Sequence, residues 1–264
     1  MGIALQTFTT AELTSLLHGF LWPFVRISAL LVATPMFGAR TVPVRVRVSL
    51  AVLLTVIVAP QVSVPSGVEP LSVGGAVLGV REALIGTGMG FLLQMVFGAM
   101  AIAGEIIALS MGLAFASIVD PERGGSVPLV SQYFVVFATL VFLALDGHLA
   151  VLTLLVDSFR LLPPAAAGLG AGGFMAIADW GSRMFEAAVF VALPASAALL
   201  VASVSMGLIA RSAPQLNIFA VGFPMTLLLG LAALLLTVPL LAPQFEYVLT
   251  TGFEQLRTVW SAWR

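Results

Sequence analysis

Two neighbouring polar strings carry residue types that could perform acid–base or nucleophilic chemistry. Asp146 and His148 flank a glycine, and Asp157 and Ser158 follow further along the chain. A serine hydrolase would need a strained nucleophile turn of the Gly-x-Ser-x-Gly kind, and the sequence contains none. Asp-Gly-His is more typical of a helix end followed by a turn, with the histidine bonded to the backbone. We therefore expect no catalytic residue and no enzyme activity.

Metal, thiol and nucleic-acid chemistry have even less support. The chain has no cysteine, and its only histidines are His18 and His148. A zinc site would need more nitrogen, sulfur or carboxylate ligands at helical spacing. The formal net charge of −1 provides no basic surface for nucleic acid. We expect neither a bound metal nor a cofactor, and no nucleic-acid partner.

The amino-acid composition indicates the class of protein, and hence the kind of secondary structure that carries any functional residue. Of 264 residues, 60% are apolar and only 9% are charged, and the mean hydropathy is +1.13. A soluble protein of this length could not bury so many apolar side chains. These values indicate an integral membrane protein, and the long non-alternating apolar runs exclude a β-barrel reading.

Six apolar runs come close to the length of a membrane-spanning helix. They cover residues 13–37, 48–64, 71–119, 127–145, 174–210 and 216–245. We predict an all-α membrane protein with a single membrane domain over residues 1–264. Arginines concentrate in the first, third and fifth connections, which favours both termini outside if all six runs cross fully. The amphipathic tail after Gln244 is expected at a membrane interface.

Ionisable residues interrupt these runs at several points. Such residues are costly in a membrane and face either protein or water. They could form a proton or ion path, or they could be salt-bridged pairs that fix helix packing. Opposite charges close in sequence favour packing, whereas Glu105 has no nearby partner and is the best single functional candidate. The residues predicted to be buried charges or to fix helix packing are Arg26, Arg81, Glu82, Glu105, Asp146 and His148. Arg183 and Glu186 form a further pair of opposite charge.

The third run carries small residues at a spacing of four. Gly86, Gly90 and Gly98, with Gln94 between them, lie on one helical face. Such a face lets another backbone approach closely. It could be an assembly surface, a narrow channel wall or ordinary packing within the chain, and the pattern alone does not separate these alternatives.

The stretch from Gly112 to Gly125 is unusual for a membrane loop. It is apolar, yet it ends in Asp120-Pro121 and a glycine pair. Irregular apolar backbone at membrane depth is tolerated only where protein or a cavity satisfies it. A re-entrant segment that closes a pore would fit, and so would a helix end followed by a loop.

Several short strings, in this order and spacing, carry a resemblance to a known family. They are Arg26-Ile27-Ser28, Ala33-Thr34-Pro35-Met36-Phe37-Gly38, Val42-Pro43-Val44-Arg45-Val46-Arg47, Asp120-Pro121, Asp146-Gly147-His148, Ser158 with Pro163, and Arg211-Ser212-Ala213-Pro214-Gln215-Leu216-Asn217-Ile218-Phe219 continuing to Gly222-Phe223-Pro224. Together they resemble the FliR family of flagellar export proteins, whose injectisome relatives are the SctT proteins. The resemblance extends over nearly the whole chain, and the Ala-Pro-Gln-Leu-Asn-x-Phe string is its strongest part.

The resemblance implies a fold of helical hairpins that need not cross the bilayer completely. Residues 11–157 would be similar in shape to FliP, and residues 174–250 would form a FliQ-like helical pair. The chain would be a core subunit of the type III export gate, in the bacterial inner membrane at the flagellar basal body. Expected partners are FliP-like and FliQ-like gate subunits, FlhB-like and FlhA-like export proteins, unfolded flagellar substrates and membrane lipid.

The resemblance also implies roles for particular residues. The segment after the third run would be a channel plug comprising Met111, Gly112, Phe115, Ile118, Val119, Asp120 and Pro121. A turn near the cytoplasmic entrance would comprise Arg211, Pro214, Gln215 and Asn217. An injectisome gate subunit is the alternative within the same architecture. A small-solute transporter is the alternative from another class, and it predicts inverted repeats with matching broken helices.

Overall fold

In the computed structural model the chain is built from seven α-helices in its described part. The structure describes residues 10–39, 41–62, 68–113, 129–164, 169–212 and 218–264. The helices are α1 (Thr10–Ala33), α2 (Val44–Val58), α3 (Val73–Ser110), α4 (Leu129–Ala144), α5 (Gly147–Leu161), α6 (Ala171–Ser212) and α7 (Ile218–Trp263), with a short 3₁₀ turn at Ala59–Gln61. Within the described residues, each of the six predicted apolar runs contains one of these helices, and the predicted all-α class is confirmed.

Fewer than six of the described helices are long and apolar enough to cross a membrane alone. Four described helices are long and apolar enough to cross a membrane: Val44–Gln61, Val73–Ser110, Ala171–Ser212 and Gly222–Trp263. Helices α4 and α5 would add a fifth span if they are counted together as one broken span. The part of α1 from His18 to Ala33 is apolar but shorter. The placement of both termini outside was conditional on six full crossings, and the described helices supply only four or five candidate spans.

A serine caps the start of α3, and an arginine of α2 bonds the connection that precedes its own helix. The Ser72 hydroxyl accepts a hydrogen bond from the Gly75 N–H at 3.1 Å, which caps the beginning of α3. Arg47 in α2 donates from Nη2 to the carbonyl oxygens of Ala39 and Val42, at 2.9 Å and 3.0 Å. An arginine that the sequence suggests as a topology signal therefore also satisfies carbonyls of the connection before its own helix.

Prolines lie inside three helices without ending them. Pro23 lies in α1, Pro194 in α6, and Pro224, Pro239 and Pro243 in α7. Membrane helices tolerate proline because neighbouring helices and small adjustments satisfy the freed carbonyls. Helix α7 consequently continues through the predicted tail, where Leu256, Trp260 and Trp263 are buried rather than placed at an interface.

The contacts divide the chain into two compact units. The first comprises Met1–Gln94, His148–Ala178 and Glu254–Arg264, and the second comprises Met95–Gly147 and Asp179–Phe253. In the first unit, α1 packs directly on the Gly86 and Gly90 face of α3. In the second, the Phe97 ring makes edge contacts with Phe142 and Phe245, at centroid distances of 5.6 Å and 5.4 Å.

Glycine at position 90 is required by this packing. A Cβ there would lie 2.5 Å from the Ala33 Cβ and 2.9 Å from the Ala33 carbonyl carbon. We predict that Gly90→Ala lowers the free energy of unfolding by about 1–3 kcal/mol, because the α1 backbone must move away. Thermal unfolding of the purified protein in detergent measures the effect.

The matched control is Gly181→Ala in α6, where an added Cβ meets nothing within 4 Å. This control should be neutral or slightly stabilising, because alanine has about 1 kcal/mol better helix propensity than glycine. Equal unfolding midpoints for the two variants would contradict the close approach of α1 and α3.

Candidate functional site

The first unit contains a fully buried ion pair between two helices. Arg26 of α1 donates from Nε to Glu82 Oε2 of α3 at 2.7 Å, and both side chains are 0% exposed. Arg81, the neighbour of Glu82, approaches the other carboxylate oxygen at 3.4 Å. A buried carboxylate is stable only when it is paired and hydrogen-bonded, so these two arginines hold Glu82 in place.

Both arginines also bind the end of α5. Arg26 donates from Nη1 to the Ser158 hydroxyl at 3.1 Å and from Nη2 to the Leu162 carbonyl at 2.7 Å. Arg81 Nη1 lies 3.1 Å and 3.2 Å from the carbonyl oxygens of Pro163 and Pro164. These three carbonyls directly follow the last residue of α5 and have no donor within the helix, so the guanidinium groups satisfy them.

The Arg26 guanidinium is also covered by an aromatic ring. Its central carbon lies 4.2 Å from the ring centroid of Phe159, which is itself buried in α5. The ring face supplies a further favourable interaction in this water-poor position. Arg26, Arg81 and Glu82, here named the arginine clamp, therefore join α1, α3 and the end of α5.

The glycines of α3 contact elements of this same chain. Gly86 faces the Arg26 carbonyl and Ala29, and Gly90 faces Leu30 and Ala33, all in α1. Gly98 lies in the second unit, where an added Cβ would meet the Met184 sulfur of α6 at 3.3 Å. Packing within the chain, one of the alternatives left open by the spacing, accounts for the Gly86 and Gly90 approaches.

A further close approach at glycines, made by the Trp263 side chain, is not apparent from the sequence. A Cβ at Gly88 would lie 2.7 Å from Cη2 of Trp263, and the Trp263 indole also lies directly against Gly173. The Phe174 ring makes an edge contact with the Trp263 ring at a centroid distance of 5.5 Å. The Gly170 N–H donates a hydrogen bond to the Trp263 carbonyl oxygen at 3.3 Å. These partners are far apart in sequence, so no local spacing could reveal them.

Several other predicted charged positions are not buried. Glu105 and Asp146 are exposed, so the expectation that they are buried charges is wrong for both. Asp146 has a φ of 53° in the turn after α4, a left-handed conformation that aspartate tolerates at a helix end. Arg183 and Glu186 form an ion pair at 3.1 Å, but they are 69% and 67% exposed.

The Asp-Gly-His string does form the expected turn. The N–H groups of Leu145 and Asp146 bond the carbonyls of Val141 and Leu143, which ends α4. His148 follows at the start of α5, and its Nδ1 has no hydrogen-bond partner in the described chain. The predicted histidine–backbone bond is therefore not seen on that nitrogen.

Of the predicted plug, two residues fall within the described part. Met111 is buried in the second unit and Gly112 follows it with a φ of 80°. Phe115, Ile118, Val119, Asp120 and Pro121 lie outside the described residues. Of the predicted turn, Arg211 is exposed at the end of α6, while Pro214, Gln215 and Asn217 lie outside the described residues.

Comparison with known proteins decides the family. The model of the family described as bacterial export proteins, family 1, matches residues 17–252. The chain belongs to this family.

Three relatives of this bacterial export family illustrate the extent of the similarity. The flagellar biosynthetic protein FliR of Pectobacterium carotovorum subsp. carotovorum is 39% identical, over 96% of this chain and 97% of the relative. The protein of the same name from Escherichia coli strain K12 is 38% identical, over 95% and 96%. That from Bacillus subtilis strain 168 is 30% identical, over 94% and 96%. The arginine clamp and Met111 both lie within the part of the chain that matches the export family.

The arginine clamp should contribute strongly to the stability of this export-family chain. Arg26→Leu should lower the free energy of unfolding by about 3–5 kcal/mol, because Glu82 keeps its buried charge but loses its main partner. The double variant Arg26→Leu/Glu82→Leu should recover part of this loss, since it removes both charges. Thermal unfolding in detergent and the amount accumulated in membranes measure the effect.

The matched control is Arg183→Leu, which breaks the exposed pair in α6. This pair should contribute at most about 1 kcal/mol, because an exposed ion pair gains little beyond the cost of ordering two long side chains. A loss from Arg26→Leu no larger than that from the control would contradict the role of the arginine clamp.

Proposed function

We propose that this chain is a core subunit of the flagellar type III protein export gate. The observation that carries the proposal is its similarity, nearly end to end, to three proteins named flagellar biosynthetic protein FliR. In that role it forms part of the channel through which unfolded flagellar subunits cross the bacterial inner membrane during flagellum assembly. Its place is the flagellar basal body.

The proposed role is passive rather than catalytic. Exported chains pass through a sealed path, and the energy comes from the proton motive force and a cytoplasmic ATPase elsewhere in the apparatus. The arginine clamp fits a structural role, because Arg26 and Glu82 are fully buried and bonded to each other and to backbone carbonyls. Charges held in this way stabilise helix packing and do not offer a path for ions.

The long helices support an assembly with other hydrophobic subunits. Helices α6 and α7 have 42 and 46 residues, and many of their described apolar side chains are exposed. At 1.5 Å per residue they would extend about 63 Å and 69 Å, whereas the hydrocarbon core is about 30 Å thick. Apolar surface beyond the lipid needs protein to cover it, as FliP-like and FliQ-like gate subunits and FlhB-like and FlhA-like neighbours would.

The internal organisation of the gate subunit follows the same proposal. Residues 11–157 form the FliP-like part and residues 174–250 the FliQ-like helical pair. The segment beginning at Met111 acts as the plug, and the turn after Arg211 lies near the cytoplasmic entrance. The flagellar names of the relatives favour this role over an injectisome gate and over a small-solute transporter.

Deletion of the gene in its own host tests the proposed function. We predict cells without filaments and without hook and filament proteins in the medium, because the export channel then lacks one of its core subunits. Secretion of proteins by other routes is the control and should be unchanged. Swimming and immunoblots of culture medium provide the measurement.

Re-expression of the wild-type chain should restore both swimming and flagellar secretion. A deletion strain that still assembles filaments would contradict the flagellar role. Loss of an injectisome substrate from the medium, with flagella intact, would select the injectisome alternative.

A further inference from the structure

One edge of the Arg81 guanidinium group is unpaired. Its Nη1 bonds the carbonyl oxygens of Pro163 and Pro164, whereas Nε and Nη2 are buried without a hydrogen-bond partner in the described chain. The whole side chain is only 7% exposed. The Nε–H and Nη2–H groups point the same way in the rigid guanidinium fork, and this pair matches two oxygens of a phosphate or a carboxylate. Buried donors are rarely left unpaired, so this edge is suited to an oxyanion.

The charge of the arginine clamp favours the same class of ligand. Arg26 and Arg81 share the single carboxylate of Glu82, which gives the clamp a formal net charge of +1. Among the described residues, no second carboxylate lies within salt-bridge distance of either arginine. A buried excess charge is costly without a counter-ion. An anion bound at Arg81 would therefore be stabilised electrostatically.

An apolar groove begins one helical turn beyond Arg81, also in the first unit. Its volume is about 380 Å³, and it is lined by Leu84, Gly88 and Phe91 of α3, with Phe174 and Trp263 opposite them. None of its described lining residues is charged. Sites for small apolar ligands have volumes of roughly 300–1,000 Å³ and few polar groups. The groove therefore has the size and lining of a site for a slender apolar chain.

Arg81 and the groove lie on one face of α3. Arg81, Leu84, Gly88 and Phe91 follow one another at spacings of three and four residues, which align along a helix. Leu84 and Phe91 are 41% and 49% exposed, so this face is open to a ligand. The helix rises about 15 Å from Arg81 to Phe91. A ligand on this face would place a charged end at Arg81 and an apolar chain along the groove.

The charge pattern of α3 places Arg81 beside an apolar run of bilayer length. The residues from Ala83 to Gly104 are uncharged, and Glu105, which follows them, is exposed. At about 1.5 Å per residue this run extends about 33 Å, close to the hydrocarbon thickness of about 30 Å. When α3 crosses the membrane, Arg81 therefore lies at the depth of the lipid phosphates.

We propose that this face of α3 binds one phospholipid, with its phosphate on the Nε–Nη2 edge of Arg81 and an acyl chain in the groove at Leu84, Gly88 and Phe91. An anionic headgroup is preferred, because the clamp has a net positive charge and a zwitterionic headgroup would add another. A protein partner fits less well, because the groove accommodates one slender chain, whereas a stable interface buries about 800 Å² on each side. The inference does not depend on the proposed export role.

Native mass spectrometry of the purified chain in detergent tests the site. Phosphatidylglycerol or phosphatidylcholine with identical acyl chains is added at increasing concentration, and the fraction of protein that retains one lipid is measured. Phosphatidylglycerol should bind about fivefold more tightly, which is the effect of one basic residue near an anionic lipid surface. Arg81→Lys should weaken its binding by about tenfold, because lysine keeps the charge but loses the paired donors.

The matched control is Arg257→Lys, which changes an exposed arginine of the same unit. It should retain phosphatidylglycerol as the wild-type chain does. Equal retention of both lipids by the wild type and Arg81→Lys would indicate bulk lipid around the protein only and would overturn the inference. A wild-type chain that retains no lipid would overturn it as well.

A second variant covers the case in which Arg81→Lys does not fold. Leu84→Ala/Phe91→Ala leaves the arginine clamp intact and removes two partly exposed walls of the groove. It should also bind phosphatidylglycerol more weakly than the wild type, and unchanged binding would contradict the acyl-chain site. Excess inorganic phosphate should displace little lipid from the wild type, because it has no acyl chain. Complete displacement would reduce the site to phosphate binding alone and refute the proposed lipid.

The complex recovered by co-expression with the adjacent genes distinguishes lipid from a protein ligand. The same phosphatidylglycerol should remain bound in that complex, and Arg81→Lys should release it. A complex that lacks the lipid, although the isolated wild-type chain binds it, would assign the Arg81 edge to a partner subunit and overturn the inference.

Discussion

The packing of the first unit depends on the ion pair between Arg26 and Glu82. A carboxylate that is 0% exposed in a chain of such high hydropathy cannot remain charged without a partner. Arg26 meets this demand and also reaches the Leu162 carbonyl at the end of α5. One side chain thus joins three helices, and Gly86 permits the α1 backbone at Arg26 to approach α3 closely enough for the pair to form.

The second unit relies on apolar contacts instead of charge. Phe97 packs against Phe142 and Phe245, and Met111 lies on the bare backbone of Gly230. Such contacts are individually weak and collectively large, and they lack the direction of an ion pair. The two units are therefore held together by different kinds of interaction.

The sequence predicted the helical class and the location of six of the seven described helices, because long apolar runs leave a clear compositional signal. The more polar helix α5 lies outside the predicted runs. It also identified Arg81 and Glu82 as neighbours of opposite charge. It could not predict that Arg26 is the closer partner of Glu82, that Trp263 fills a slot at Gly88 and Gly173, or that Glu105 is exposed. These features depend on which helix faces meet, and residues distant in sequence decide that.

The most direct test of the account is native mass spectrometry of the chain co-expressed with the genes adjacent to its own. A gate subunit should be recovered as one copy in a stable complex with several copies of two small hydrophobic proteins. The proposed gate role predicts this result, in which protein partners as well as lipid cover the exposed apolar surface of α6 and α7. A lone monomer or a symmetric homodimer, with those genes expressed, would contradict the account and favour a transporter.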